Sequence, residues 1–202
     1  GLRCVYHGWK YDVDGNLVDT PTELNPDFGK KIRHKAYPTR EAGGIVWTYM
    51  GPRAEPPPFP DFLFTSLPAH RVIAYHYNQS CNYLQGIEAD LDISHASYLH
   101  STISQAPIDE RRAAMTHDPR PRAYTRDEPF GMQTVWSWKT EDPAKSLVWV
   151  DPFVVPCHTI VPAGRTGLRW IWHAWVPIDD ENHWLYYVHY DHEIEPTPDE
   201  RE

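Results

Sequence analysis

The sequence predicts an α+β chain: short antiparallel strands for most of its length and one helix that carries the chemistry. Three observations predict it. Apolar and polar residues alternate in runs such as Gln133–Trp138 and His183–Tyr190, the period of half-buried strands. One stretch, Cys81–His100, contains no Pro and only Gly86 as an interruption, so it reads as a helix. Between them and the N-terminal part lies Glu55-Pro56-Pro57-Pro58-Phe59-Pro60, a stiff extended connector that cannot enter a helix.

The elements follow in order. Residues 1–51 read as strands and tight turns. Val13-Asp14-Gly15-Asn16-Leu17 is a hairpin turn, and Gly44–Met50 is an apolar strand closed by Gly51-Pro52. The connector then separates two domains, 1–52 and 53–202. His70–Gln79 is rich in Val, Ile and Tyr and reads as a strand. Ser80 stands where a helix cap is expected before Cys81–His100. Residues 101–130 show no period and are crowded with Arg, Asp, Glu and Pro, so they read as a surface loop. Strands resume at Gln133–Trp138, Leu147–Val155, Leu168–Val176 and His183–Tyr190.

Composition narrows the functions. The chain has 202 residues, 19 basic and 28 acidic, for a formal charge of −9. Such a balance gives no electrostatic basis for binding nucleic acid or an anionic membrane surface. No apolar run approaches the roughly 18 residues of a membrane-spanning helix. Cys4, Cys81 and Cys157 are too few and too scattered for a disulfide framework, which fits a reducing, cytoplasmic setting. Nine Trp and twelve Tyr point to an aromatic-rich core.

Two constellations carry chemistry. In Cys4-Val5-Tyr6-His7-Gly8-Trp9-Lys10-Tyr11 a thiolate and an imidazole can face one metal centre if the backbone turns back, which Gly8 permits. Half a zinc knuckle would show the same Cys-x-x-His spacing. The second lies on the helix. At 100° per residue, Gln85, Glu88, Asp92, His95 and His100 share a sector about 140° wide, with Leu84 and Leu91 beside it and Leu99 inside it. Mixing acids and imidazoles with Leu suggests a polar site within a core; a solvated, ion-paired face is the alternative. Two His and a carboxylate are the ingredients of a non-haem Fe(II) site. On a regular helix His95 and His100 diverge by about 140°. They converge only if the helix distorts or ends between them.

The first octapeptide resembles the second ligand motif of Rieske [2Fe–2S] domains, and Asp92-x-x-His95-x-x-x-x-His100 resembles the mononuclear iron motif of the same family, the Rieske non-haem iron ring-hydroxylating oxygenase α subunits. Ala36–Glu41, Gly43–Trp47 and Trp172–Asp179 are similar to the phthalate-dioxygenase-like branch. The resemblance implies an internal fragment: the C-terminal part of an all-β Rieske domain, then part of a catalytic domain of antiparallel sheet and helices. It implies Cys4 and His7 as ligands of the [2Fe–2S] cluster, His95 and His100 as ligands of Fe(II), and Asp92 as the carboxylate bridging the two centres across a subunit boundary to His7. The cluster's first Cys-x-His pair is expected upstream of Gly1. The third iron ligand, an Asp, is expected beyond Glu202; Asp151, Asp179, Asp180 and Asp191 are in-chain candidates better explained as strand-end or turn residues.

The activity so implied is hydroxylation of an aromatic, carboxylated substrate with O₂, in a homotrimer. Electrons come from NAD(P)H through a separate flavin and iron–sulfur reductase, with or without a ferredoxin. An oxidative demethylase shares the architecture, and a Rieske-like electron carrier would account for residues 1–51 alone. Cys157 and His158 are candidates for a pocket lining, with core packing the simpler reading. Arg169 is a candidate partner of a substrate carboxylate. His173, His183, His189 and His192 show no metal-ligand spacing.

Overall fold

Turns stabilised by their own side chains organise the first sixty residues. The computed structural model describes residues 1–100, 110–163, 169–193 and 195, and the chain divides into two units, Gly1–Asp61 and Phe62–Glu202. The division falls after Asp61, at the end of the proline-rich connector. In the first unit β1 (Leu2–Arg3), β2 (Lys10–Tyr11) and β3 (Leu17–Asp19) form an antiparallel sheet in that order. The turn between β2 and β3 is built by Asp12, whose carboxylate accepts from the backbone N–H groups of Asp14 and Asn16, while Gly15 takes a positive φ of 84°. β4 (Thr39–Ala42) and β5 (Ile45–Thr48) form a separate hairpin.

The second unit is a seven-stranded antiparallel sheet. Its strands are β6 (Val72–Gln79), β7 (Arg122–Glu128), β8 (Gly131–Lys139), β9 (Ser146–Val154), β10 (His158–Ala163), β11 (Arg169–Pro177) and β12 (His183–Asp191). They lie in the order β6-β12-β11-β10-β9-β8-β7, so the chain enters at one edge, crosses to the other and returns. β10 pairs with β9 only at His158↔Val154 and Thr159↔Phe153, although it pairs along its whole length with β11.

Strand alternation divides the aromatic residues between two faces. On one, fully buried Phe64 packs with Trp172 and Tyr190. Removing Phe64 from water is worth roughly 1.5–3 kcal/mol. On the other, α1 (Tyr83–Leu91) sets Ile87 against Trp175, Leu185 and Cys157. Cys157 is therefore a core residue. The second helix, α2 (Glu110–His117), packs Ala114 and Met115 with Trp138 and Trp149 on this same face.

Three expectations change. The helix read over Cys81–His100 ends at Leu91, and Ile93–Ser97 forms a 3-10 turn instead. The loop read over 101–130 contains α2 and β7, its first part lying outside the described residues. β7 is an edge strand whose residues are exposed or half-buried, so it carries no apolar alternation to detect. β10 was hidden by Pro156 and Pro162, which normally argue against a strand.

Gly86 fixes how closely α1 approaches the sheet. A β-carbon there would lie 2.1 Å from Cζ3 of Trp175. Gly86→Ala is expected to destabilise the protein by about 1–3 kcal/mol through overpacking, despite alanine's better helix propensity. A thermal melt checks it; an unchanged or higher Tm would contradict the close contact.

Candidate metal centre

The two helix-motif histidines meet because the helix stops before reaching them. The last α-helical bond runs from the Asp92 N–H to the Glu88 carbonyl, 3.0 Å. A continued helix would give the Leu91 carbonyl to the amide of residue 95 and the Asp92 carbonyl to that of residue 96. Here the indole Nε1–H of Trp136 donates to the Leu91 carbonyl at 3.2 Å, and His95 Nδ1–H donates to the Asp92 carbonyl at 2.5 Å. Asp92 has φ −93° and ψ 86°, outside the helical region, and its own carboxylate caps the following 3-10 turn by accepting from Ser94 N–H at 2.9 Å.

That turn is fastened from below. Ile93 and Ala96 pack with Trp138, Trp149 and α2, and Ser97 Oγ accepts from Trp138 Nε1 at 3.0 Å. The result places His95 Nε2 and His100 Nε2 3.2 Å apart. A carbonyl can only accept, so His95 carries a proton on Nδ1. Partial burial, with the nearby His95 and Arg111, holds the His100 pKa below its ordinary value. Two imidazoles with ring nitrogens this close suit one shared cation, since nitrogen ligands about 2.1 Å from a metal lie at such separations. Among the described residues no group of three or more His, Cys, Asp or Glu converges as a metal site.

The in-chain aspartates have other work. Asp179 caps its turn by accepting from Glu181 N–H and Asn182 Nδ2–H, and the Asp180 carbonyl accepts from Asn82 Nδ2–H. Asp191 accepts from Glu193 N–H and lies 3.7 Å from Arg169, so that guanidinium already faces a carboxylate of its own chain. Asp151 is completely buried, accepts from Trp149 Nε1–H through one oxygen, and has no hydrogen-bond partner at the other among the described residues. Burial, with the Asp90 charge adding to it, pushes its pKa up to about 8.

The expected polar stripe is split by the end of the helix. Gln85 and Glu88 are exposed, so on α1 itself those two occupy a solvated face. The acid that turns inward is Asp90, on the side of Ile87 and Leu91. Its Oδ2 accepts from the Thr159 hydroxyl and from His173 Nδ1–H, the latter at 2.7 Å. Trp175 Nε1–H donates to Thr159 Oγ at 2.8 Å. Sequence reasoning missed this cluster, although the 83, 87, 90, 91 spacing of an apolar helix face would have marked Asp90. His158 stacks on Trp172 on the other face; burial lowers its pKa, and that of His189, to about 4. His183 is fully buried and bonded to the Cys81 carbonyl and Gln79.

In the first unit Cys4 and His7 lie on the exposed loop between β1 and β2. Cys4 N–H donates to the Trp9 carbonyl at 2.8 Å, Gly8 N–H donates to the Cys4 carbonyl at 3.1 Å, and Gly8 has φ 75°. Arg3, paired with Asp19 at 2.6 Å, also donates to the Gly8 carbonyl.

Solved structures share the fold of the chain. Dicamba monooxygenase bound to dicamba is similar with a TM-score of 0.67 at 18% identity, over 94% of this chain and 59% of that one. Residues 48–201 match the family described as LigXa C-terminal domain like, and the chain belongs to it. Among curated relatives, the phthalate 4,5-dioxygenase oxygenase subunit of Pseudomonas putida is 32% identical over 205 residues, 93% of this chain and 45% of that protein. The 5,5'-dehydrodivanillate O-demethylase oxygenase subunit of a Sphingobium species is 39% identical over 111 residues, 52% of this chain and 26% of that protein. The chain spans just under half the length of the first of these.

The buried Asp151 makes stability depend on pH. Its folded pKa of about 8 stands above the unfolded 3.8, so its neutral form is favoured by folding. Stability from this group is fully present below pH 3.8 and is lost as pH rises through about 8. Asp151→Asn keeps the acceptor for Trp149 and removes the titration. The variant is expected to match wild type near pH 4 and to exceed it at pH 9. Melts across this range that remain parallel would contradict the assignment.

Proposed function

We propose that this chain is part of a Rieske-type oxygenase α subunit that hydroxylates an aromatic small molecule, with His95 and His100 as two ligands of a mononuclear Fe(II). The observation that carries the reading is the 3.2 Å approach of the two Nε2 atoms, produced by a helix end whose carbonyls are satisfied elsewhere. The donor set suits the metal: two imidazoles, one with its Nδ1 proton held by a backbone carbonyl. Residues 1–52 and 53–202 are read as parts of the Rieske and catalytic domains. Cys4 and His7 would supply one ligand to each iron of a [2Fe–2S] cluster, and an exposed loop is suited to that. When bound, the cluster supplies electrons and the mononuclear iron supplies the place where O₂ is reduced beside the substrate.

The chain's own residues do the rest. His95 and His100 bring their Nε2 atoms within 3.2 Å of each other. Trp136 and Trp138 hold the turn that carries them. Asp92 is exposed and engages Ser94 through one oxygen, which leaves acceptor capacity for an imidazole N–H. We assign it the bridge to His7 of a neighbouring subunit in a homotrimer. Reducing equivalents would come from NAD(P)H through a separate reductase, with or without a ferredoxin, in the cytoplasm. Among the described residues no helix is long and apolar enough to cross a membrane.

An oxidative O-demethylase is the second reading, favoured by the 39% identity to a demethylase subunit over half of this chain. A bare electron carrier leaves the His95–His100 approach without a use. Isotopic O₂ and product analysis with the full-length enzyme separate the first two: ¹⁸O in a ring hydroxyl supports hydroxylation, and formaldehyde release supports demethylation.

Two outcomes are expected in the full-length enzyme. His100→Ala loses one iron per subunit while the visible spectrum of the cluster persists; iron content equal to wild type would remove His100 from the ligand set. Asp92→Asn retains both metal centres and lowers turnover by about tenfold or more, because the charge that accepts an imidazole proton is gone. Undiminished steady-state O₂ uptake in Asp92→Asn would exclude the bridging role.

A further inference from the structure

We propose that Asp90 is a positioning residue for the His95–His100 turn: its carboxylate, held by Thr159 and His173, fixes the last turn of α1 so that the helix ends at Leu91 and the two imidazoles meet. The proposal rests on reading those imidazoles as iron ligands.

One carboxylate oxygen receives two donors. Thr159 O–H and His173 Nδ1–H both reach Oδ2 of Asp90, and Trp175 Nε1–H orients the Thr159 hydroxyl. Thr159 and His173 are directly opposed in the β10–β11 register, so the grip is a single place on the sheet. The side chains of Asp90 and His173 are only 16% and 6% exposed. A carboxylate there must be desolvated, whereas a leucine would pack beside Ile87, Leu91 and Trp175 without that cost. What the acid adds over a leucine is orientation, because hydrogen bonds constrain rotation about the helix axis as apolar contact does not.

Rotation matters at this point in the chain. Each residue of a helix turns by about 100°, so a slip of one position would carry the Leu91 carbonyl away from Trp136. That carbonyl would then be free to accept the amide of residue 95 and extend the helix, which separates the imidazoles. Thr159 with His173 and Trp136 thus grip adjacent residues, Asp90 and Leu91, from different strands, β10–β11 and β8, immediately before the break. Asp90 acts through the turn and is not itself a ligand, since no converging group of metal-ligating side chains includes it among the described residues.

The test uses the full-length protein with Fe(II) added anaerobically. Asp90→Asn keeps a carbonyl oxygen for both donors, and Asp90→Leu removes the acceptor at similar volume. The leucine variant is expected to raise the Fe(II) dissociation constant by about tenfold or more, with an altered near-infrared circular dichroism of the ferrous site. The asparagine variant should restore both to near wild type, and the cluster spectrum and Tm should be unchanged throughout. Wild-type Fe(II) affinity and an unchanged ferrous spectrum in Asp90→Leu would overturn the proposal. Should that variant fail to fold, Thr159→Val and His173→Phe each remove one donor and are each expected to weaken Fe(II) retention; wild-type retention in both would equally overturn it. Iron beyond that of the cluster that survives the double change His95→Ala and His100→Ala overturns the iron-site reading itself, and with it the role of Asp90.

Discussion

Two backbone carbonyls at the end of α1 need donors that the helix no longer provides, and the candidate site depends on which groups supply them. Orphan carbonyls at a helix end are ordinarily satisfied by a glycine-based turn or by water. Here a tryptophan from β8 takes one, and a histidine from the following turn takes the other. The second bond does two things at once. It completes the helix end, and it sets the tautomer of the imidazole that would face a metal. Ending the helix and preparing a ligand are the same local event.

Indoles recur throughout this arrangement. Trp136, Trp138, Trp149 and Trp175 donate respectively to a helix-end carbonyl, to Ser97, to Asp151 and to Thr159. Each also buries a large apolar ring on the face of the sheet that α1 and α2 cover. An indole suits such a position because it fills volume and still satisfies one acceptor. This explains why a chain with modest aliphatic content can hold polar side chains such as Asp90, Asp151 and Thr159 within its core.

Several ionisable groups on that face are held neutral or paired. His189 is kept neutral by burial, Asp151 is kept protonated near neutral pH, and Arg169 stands beside Asp191.

The sequence by itself determined most of the strands, because alternation such as that of His183–Tyr190 is a property of neighbouring residues. It also marked Cys4, His7, Asp92, His95 and His100, because ligand types at fixed spacing are local information. It did not reveal β7 or β10: an edge strand needs no apolar alternation, and the prolines of β10 resemble loop signals. Where α1 ends depended on donors from distant strands as well as on the local Asp92 cap and His95 bond. Cys81–His100 has no Pro, and its one Gly lies well before the break, so local propensity favours continuing the helix. The stop comes from Trp136, 45 residues farther along the chain, and from the grip of Thr159 and His173 on Asp90. Asp90 escaped notice for the same reason: an acid beside Leu91 looks solvated until a strand 69 residues later supplies its donor. Donors brought from distant strands can overrule a helical preference because each satisfies a buried polar group that would otherwise cost more than the lost helical bond.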